Sequence, residues 1–334
     1  MSQAPGLKVA LKRGALITAA NWPLVVVQFI ADATFKLLLA VPVLGGIFLV
    51  VLLLNADVEE LLRGDPREIV AAVVTALRAS PAALTAFSGA FLLVLLGGST
   101  LTFIVKGGTV AVFAQADASA GPIERPPLRF QALRRANATE IEAFLDGCRR
   151  LWVRYVKLGA GLLLVYAVTA IAYLGLIFGG LALAGNPGIL LGWTIVAVAA
   201  SSALIVWLTL VNLFYLLTQI VMAVDDVGVR AGLRGMFRFV RTSLRELAGI
   251  FGVVLVLVVL ATIASILATA GLGLIAFVPL GGLTVLVLPL QFAAWLLRGF
   301  VFQYLALTAL GAYLTQYRHY RAAPLAAIPG KRLA

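Results

Sequence analysis

Four charged residues lie inside or beside long apolar stretches of the chain: Asp32, Lys36, Lys106 and Arg298. Because Asp32 and Lys36 are four residues apart, they share one face of a helix and can form an ion pair. A charge at membrane depth is costly and usually faces the protein interior or a water-filled cavity. If the four converge, they form a buried polar cluster of three bases and one acid, suited to an anionic head group or an anion path.

The segment around Asp32 and Lys36 also has a simpler interpretation. The run 37–54 has 18 residues, which is enough to cross a bilayer. Asp32 and Lys36 would then lie at the cytoplasmic boundary, and Lys36 and Lys106 would reach lipid head groups with their long side chains. Arg298 fits this second interpretation less well, because apolar runs flank it on both sides. The sequence leaves both interpretations open.

Nothing else in the chain has the pattern of an active site. The single histidine, His319, has no acid or cysteine near it in sequence, and a lone histidine cannot build a metal site. The single cysteine, Cys148, cannot form an internal disulfide. The serine-hydrolase, zinc-protease, paired-cysteine and phosphate-loop motifs are missing. We therefore expect no enzymatic activity, no metal and no cofactor.

The composition excludes an ordinary soluble globule. Hydrophobic residues make up 62% of the chain and charged residues 12%, whereas a soluble domain is about 25% charged. Apolar runs and turn signals such as 185–188 predict six membrane spans, the first retained rather than cleaved. The predicted spans are about 20–54, 81–116, 157–184, 189–223, 245–271 and 275–316. Pro279, Gly281, Gly282 and Pro289 suggest a broken or re-entrant piece at the start of the last span.

The distribution of basic residues predicts the orientation. Segments rich and poor in Lys and Arg alternate between the spans, and most of the 26 basic residues fall on one side of a six-span topology. The positive-inside rule makes that side the cytoplasm. We expect a multi-pass protein of the bacterial inner membrane with both termini in the cytoplasm. The net charge of +12 then matches anionic lipid at the cytoplasmic face, and no nucleic-acid partner is needed.

The chain also shows a threefold pattern within one polytopic membrane domain, 1–334. Each unit has a basic amphipathic segment, a span, a short outer connection and a second, longer span. The units are about 5–117, 137–226 and 228–317, and 318–334 forms a short cytoplasmic tail. The predicted fold is an all-α membrane protein with six transmembrane helices in three two-helix repeats, each preceded by a basic amphipathic interfacial helix.

The third amphipathic segment has the clearest pattern. Basic residues spaced by four, four, three and four form one stripe: Arg230, Arg234, Arg238, Arg241 and Arg245. Leu233, Phe237, Val240 and Leu244 lie on another face. We expect this helix to lie in the cytoplasmic interface with its arginines reaching lipid phosphates. Arg149, Arg150 and Arg154 of the second segment are candidates for the same contact. The alternative is an ordinary solvated face beside a span.

Part of this region resembles a known family. The pattern runs from Asp225-Asp226-Val227-Gly228 through Ala231-Gly232-Leu233-Arg234 and Phe239-Val240-Arg241 to Leu247-Ala248-Gly249-Ile250. It is similar to the six-span membrane domain that is fused to some bacterial glycerophosphodiester phosphodiesterases and occurs in related membrane proteins. The match covers about 30 residues. It implies a helical membrane module and not the enzymatic activity, because no phosphodiesterase domain is attached here.

Three functions are compatible with these observations. The first is a non-enzymatic membrane protein that engages anionic lipid or a membrane-protein partner as a scaffold or accessory module. The second is a transporter or channel-like protein for a small or lipidic anion. The third is an accessory subunit of a larger membrane complex. A transporter predicts a water-accessible cavity that reaches Arg298, whereas a scaffold predicts a sealed bundle with a groove outside.

Overall fold

The computed structural model of the protein describes residues 6–54, 75, 80–125, 130–183, 187–276 and 284–322. Within these ranges the chain is all-helical, with nine helices and no strand. They are α1 (Leu7–Ala20), α2 (Trp22–Leu54), α3 (Pro81–Ser119), α4 (Phe130–Ala136), α5 (Ile141–Leu183), α6 (Pro187–Asp225), α7 (Val229–Thr242), α8 (Leu244–Ala276) and α9 (Thr284–Ala322).

Six of these helices are long and apolar enough to cross a membrane: α2, α3, α5, α6, α8 and α9. A helix satisfies its own backbone hydrogen bonds, which is what a segment surrounded by hydrocarbon requires. The predicted all-helical fold with six long apolar helices is therefore confirmed.

The structure differs from the sequence-based prediction in three places. The second amphipathic segment, 138–156, is not a separate helix, because α5 runs without a break into the span. A short helix, α4, forms between the first and second units, where no helix was predicted. Pro289 lies within α9, which continues on both sides of it. Gly281 and Gly282, which suggested a broken piece, lie outside the described residues.

Asn21 separates α1 from α2 and fixes the direction of the chain there. Its side-chain amide donates hydrogen bonds to the carbonyl oxygens of Ile17 at 2.9 Å and Ala136 at 2.8 Å. Its side-chain oxygen accepts from the Ala138 backbone N–H and the Thr139 hydroxyl, both at 2.9 Å. One buried side chain thus joins the start of the first span to the start of the second unit.

The three units are arranged in a closed ring. Within each unit the two spans pack together, as α2 with α3, α5 with α6 and α8 with α9. The segment that begins each unit packs against the second span of the preceding unit: α5 on α3, α7 on α6, and α1 on α9. The last of these contacts joins the two ends of the chain. The three second spans, α3, α6 and α9, contact one another.

Glycines allow the closest approaches in this ring. A Cβ atom on Gly14 of α1 would lie 2.7 Å from the Ala312 backbone nitrogen of α9, and one on Gly311 would lie 2.8 Å from the Gly14 Cα. At the equivalent contact of α5 with α3, a Cβ on Gly147 would lie 3.2 Å from the Gly108 Cα. These distances are shorter than ordinary carbon contacts, so the helices meet backbone to backbone.

A buried carboxylate ties the ends of α1, α3 and α9 together. Asp117 of α3 accepts from Arg13 Nε at 2.6 Å and lies 3.5 Å from Arg318 Nε. Arg13 Nη1 also pairs with Glu124 at 3.0 Å. Burial by itself lowers the pKa of Arg13, but attraction by Asp117 and Glu124 outweighs burial and raises the pKa above its ordinary value. Arg13 therefore stays charged.

A second carboxylate, that of Asp225, joins the ends of α6 and α9. Asp225 accepts a hydrogen bond of 2.6 Å from the Tyr317 hydroxyl and pairs with Arg321 Nε at 3.0 Å. The next residue, Asp226, has a φ of 52°, a left-handed conformation that turns the chain sharply from α6 into α7. Asp226 also pairs with Arg154 of α5 at 2.6 Å. Together, the contacts of Asp117, Asp225 and Asp226 join all three units at the basic end of the molecule.

The packed core lies at this basic end. Buried side chains of α6 begin at Tyr215, those of α9 begin at Leu307, and those of α5 end at Leu158. In the most apolar 18-residue windows of α5 and α6, no residue is buried inside the protein. The outer parts of the spans instead expose large apolar side chains, which suits contact with lipid tails. The molecule thus combines a tightly packed basic half with a lipid-exposed apolar half.

Candidate functional site: a polar cavity and an arginine face

A cavity of about 330 Å³ lies between the three second spans and α2, close to the centre of the ring. Each wall contributes polar side chains: Gln28 and Asp32 from α2; Thr102, Lys106 and Thr109 from α3; Asn212, Tyr215 and Gln219 from α6; and Gln303 from α9. On each of the first three helices these residues are three or four positions apart, so they share one face. Each of the helices α2, α3 and α6 thus presents one polar face to the cavity.

The structure brings two members of the predicted four-residue cluster into this cavity, Asp32 and Lys106. Lys36 pairs with Asp32 at 2.7 Å, but its side chain is 68% exposed. Arg298 does not line the cavity; it is exposed, with its guanidinium carbon 5.7 Å from the centre of the Phe302 ring. Sequence alone could not show this, because the inward face of α9 is decided by its packing against α1 and α8.

Lys106 is the cation of the cavity, and no carboxylate binds it directly. Its ammonium nitrogen lies 5.5 Å from the centre of the Tyr215 ring, a distance at which a cation is attracted to the face of an aromatic ring. Among the described residues it forms no ion pair and no hydrogen bond. Asp32 attracts it from farther away. Within the part of the chain that the structure describes, this cation of an apolar span therefore faces the cavity with no carboxylate in contact.

Two residues that line the cavity each carry a buried polar atom with no protein partner among the described residues. These atoms are the Tyr215 hydroxyl and the Gln219 side-chain nitrogen, and both side chains are more than nine-tenths buried. In contrast, Gln28 donates to the Thr109 hydroxyl at 2.5 Å, so that pair is satisfied. A buried polar group left without a partner costs about 1–3 kcal/mol, which favours a guest that can bond to it.

The cavity lies where the packed core meets the lipid-exposed half. Lys106 is about 38 Å from the start of α3 at Pro81, and Gln303 is about 29 Å from the start of α9 at Thr284, given 1.5 Å per helical residue. The hydrocarbon core of a bilayer is about 30 Å thick. If Pro81 and Thr284 lie at one edge of the hydrocarbon, the polar residues lie near the opposite edge.

The second candidate surface is the arginine face of α7, formed by Arg230, Arg234, Arg238 and Arg241. All four are exposed, and none forms an ion pair with a described residue. The opposite face of α7 is buried against α6 and α9 through Gly232, Met236 and Phe239. Arg245, at the start of α8, is also exposed. The packing thus directs this row of arginines away from the protein.

The other apolar side chains of α7 are divided between the protein and its surroundings. Leu233 and Val240 are half-buried against the core, whereas Phe237 is 58% exposed. Leu244, the first residue of α8, is 62% exposed. Phe237 lies between the buried face and the arginine face. A helix with this arrangement can rest on the protein with one side and present both arginines and an aromatic ring on another.

The arginines of the second unit have different surroundings. Arg149 and Arg150 are exposed on α5, and Arg150 lines an open groove beside the carboxylates of Glu142 and Asp146. Arg154 is half-buried in its ion pair with Asp226. Of the predicted head-group contacts, Arg154 is therefore already paired within the protein.

The described residues contain no group of three or more His, Cys, Asp and Glu side chains that could hold a metal ion. Cys148 is buried where α5 crosses α3, and His319 is half-buried near the end of α9. No protein-family model, curated protein or solved structure matches the chain. The function must therefore be inferred from the cavity and the arginine face themselves.

Proposed function

We propose that this is a non-enzymatic protein of the bacterial inner membrane that engages anionic lipid head groups at the cytoplasmic face. The observation that carries the proposal is the arginine face of α7. Its four guanidinium groups are exposed and form no ion pair with a described residue, and the helix is held by its opposite side. Each basic residue near an anionic membrane surface contributes about 1 kcal/mol to binding. The proposal places both termini in the cytoplasm, as the charge pattern predicts.

The proposal also retains the resemblance to the six-span membrane domain found beside bacterial glycerophosphodiester phosphodiesterases. The residues that carry the resemblance include the turn at Asp225-Asp226 and the start of α7, which orient the arginine face. A membrane-protein partner on the same surface is the competing proposal.

Lipid preference in a defined bilayer tests the proposal. The full-length protein is reconstituted with spin-labelled phosphatidylglycerol or phosphatidylcholine, and electron paramagnetic resonance gives the relative association constant of the two lipids. We expect a preference for phosphatidylglycerol that weakens as salt is added, because exposed charges are screened.

Two matched variants sharpen this test. Replacing Arg230, Arg234, Arg238 and Arg241 by glutamine should remove most of the preference, whereas replacing the same four by lysine should preserve it. An unchanged preference in the glutamine variant would show that α7 is not the lipid contact.

A transporter for a small or lipidic anion is the second candidate, and the central cavity favours it. Lys106 provides a positive charge between the three second spans, although Arg298 lies outside the cavity. Flux of a labelled anion through proteoliposomes, compared between the protein and Lys106→Met, would separate transport from static binding.

A further inference from the structure

The central cavity has three unsatisfied features that point to the same kind of ligand. Among the described residues, Lys106 has no ion-pair partner, and the Tyr215 hydroxyl and the Gln219 amide nitrogen have no hydrogen-bond partner. All three groups can donate hydrogen bonds, and one of them is positively charged. A guest that accepts several hydrogen bonds and carries negative charge would satisfy all three.

The charge balance of the cavity leaves room for such a guest. Asp32 is the only acidic residue among the described residues that line it, and its carboxylate is already paired with Lys36. Asp32, Lys36 and Lys106 together carry one excess positive charge. The rest of the lining is neutral, so a singly negative group brings the site to neutrality.

Size and depth restrict the guest further. A volume of 330 Å³ is near the lower end of ligand pockets, so it holds a small polar group and not a lipid with two acyl chains. Near an edge of the hydrocarbon, the cavity would lie at the depth of lipid phosphate groups. The apolar surfaces of the spans beyond the cavity are exposed and suited to acyl chains.

We propose that this cavity binds a phosphate-type anionic group, with Lys106 as its counter-charge and Tyr215 and Gln219 as hydrogen-bond donors. The group belongs to a membrane phospholipid or to a soluble phosphate compound, and both present the same oxygens to the site. This site is separate from the arginine face of α7 and does not depend on it.

Thermal unfolding of the full-length protein in a neutral detergent distinguishes the sources. The three probes are dihexanoyl phosphatidic acid, inorganic phosphate and dihexanoylglycerol, which lacks the phosphate. We expect phosphatidic acid to raise the unfolding midpoint by several degrees at saturation and dihexanoylglycerol to leave it unchanged. A larger effect of phosphatidic acid than of inorganic phosphate identifies a lipid ligand, and an equal effect identifies a soluble one. Equal stabilisation by dihexanoylglycerol would overturn the proposal.

Variants of the cavity wall test the assigned roles. Lys106→Met should weaken binding of the phosphate-bearing probe about tenfold or more, because a hydrogen bond to a charged group is lost. Tyr215→Phe keeps the ring beneath Lys106 and removes a hydroxyl with no partner among the described residues, so the variant should fold normally and bind about fivefold more weakly. Arg298→Met, which removes an exposed charge outside the cavity, is the control and should bind nearly as well as the unmodified protein.

Binding that survives both Lys106→Met and Tyr215→Phe would exclude this site. The variant in which the four arginines of α7 are glutamine should retain the stabilisation by phosphatidic acid. The proposals for the cavity and for the arginine face can therefore be confirmed or excluded independently of each other.

Discussion

At the scale of single residues, the polar side chains within apolar spans carry most of the functional information. Asp32 and Lys36 pair as their spacing predicts. Gln28, Tyr215 and Gln219 were missed, although Gln28 is one helical turn before Asp32 and Tyr215 is one turn before Gln219. Polar residues repeated at helical spacing inside a span are the signal that would have found them. The position of Arg298 could not be derived in this way, because it depends on how α9 packs.

Two buried tyrosines should respond differently to loss of the hydroxyl. Tyr317→Phe removes a 2.6 Å hydrogen bond to the Asp225 carboxylate and should lower the free energy of unfolding by about 1.5–3 kcal/mol. Tyr215→Phe removes a hydroxyl with no partner among the described residues and should change stability little or increase it slightly. Chemical unfolding in mixed micelles measures both. Equal losses would mean that Tyr215 has a partner in the protein.

At the scale of helices, the sequence predicted which long helices form better than it predicted where they begin and end. Six long apolar helices follow from composition alone, because a bilayer tolerates few other structures. The sequence did not show that α5 continues through the amphipathic segment 138–156. The change from basic to apolar residues after Lys157 suggested a boundary, although no proline interrupts the chain there. It also missed α4, whose few residues give too short a pattern to detect. The packing of α7 decides its orientation: Gly232, Met236 and Phe239 face the protein, so the arginines face outward.

The contact of α1 with α9 should depend on glycine at position 14. Gly14→Ala places a Cβ against the backbone of α9, and overpacking of this kind costs about 1–3 kcal/mol. We expect a lower unfolding midpoint and faster proteolysis within α1. Gly45→Ala is the matched control, since no atom lies within 4 Å of the added Cβ. If the two variants behave alike, the close approach of α1 and α9 is incorrect.

At the scale of the whole molecule, the three units predicted from the sequence are joined into a ring whose packed half lies at the basic end. The sequence predicts the units, but it does not predict the order in which they contact one another. That order places the second spans around one polar cavity and leaves the arginine face of α7 outside. Long-range contacts such as those of Arg13 with Asp117 and Tyr317 with Asp225 determine this order, and no local sequence pattern encodes them.

Photo-cross-linking from α7 in intact membranes tests most directly whether anionic lipid covers the arginine face. A photoreactive amino acid replaces Arg234, and the same amino acid at Met236, which is 1% exposed on the buried face, serves as the control. We expect position 234 to yield adducts with the mass of a phospholipid and position 236 to yield cross-links within the chain. Adducts of position 234 with another protein, or with water alone, would contradict lipid engagement by this surface.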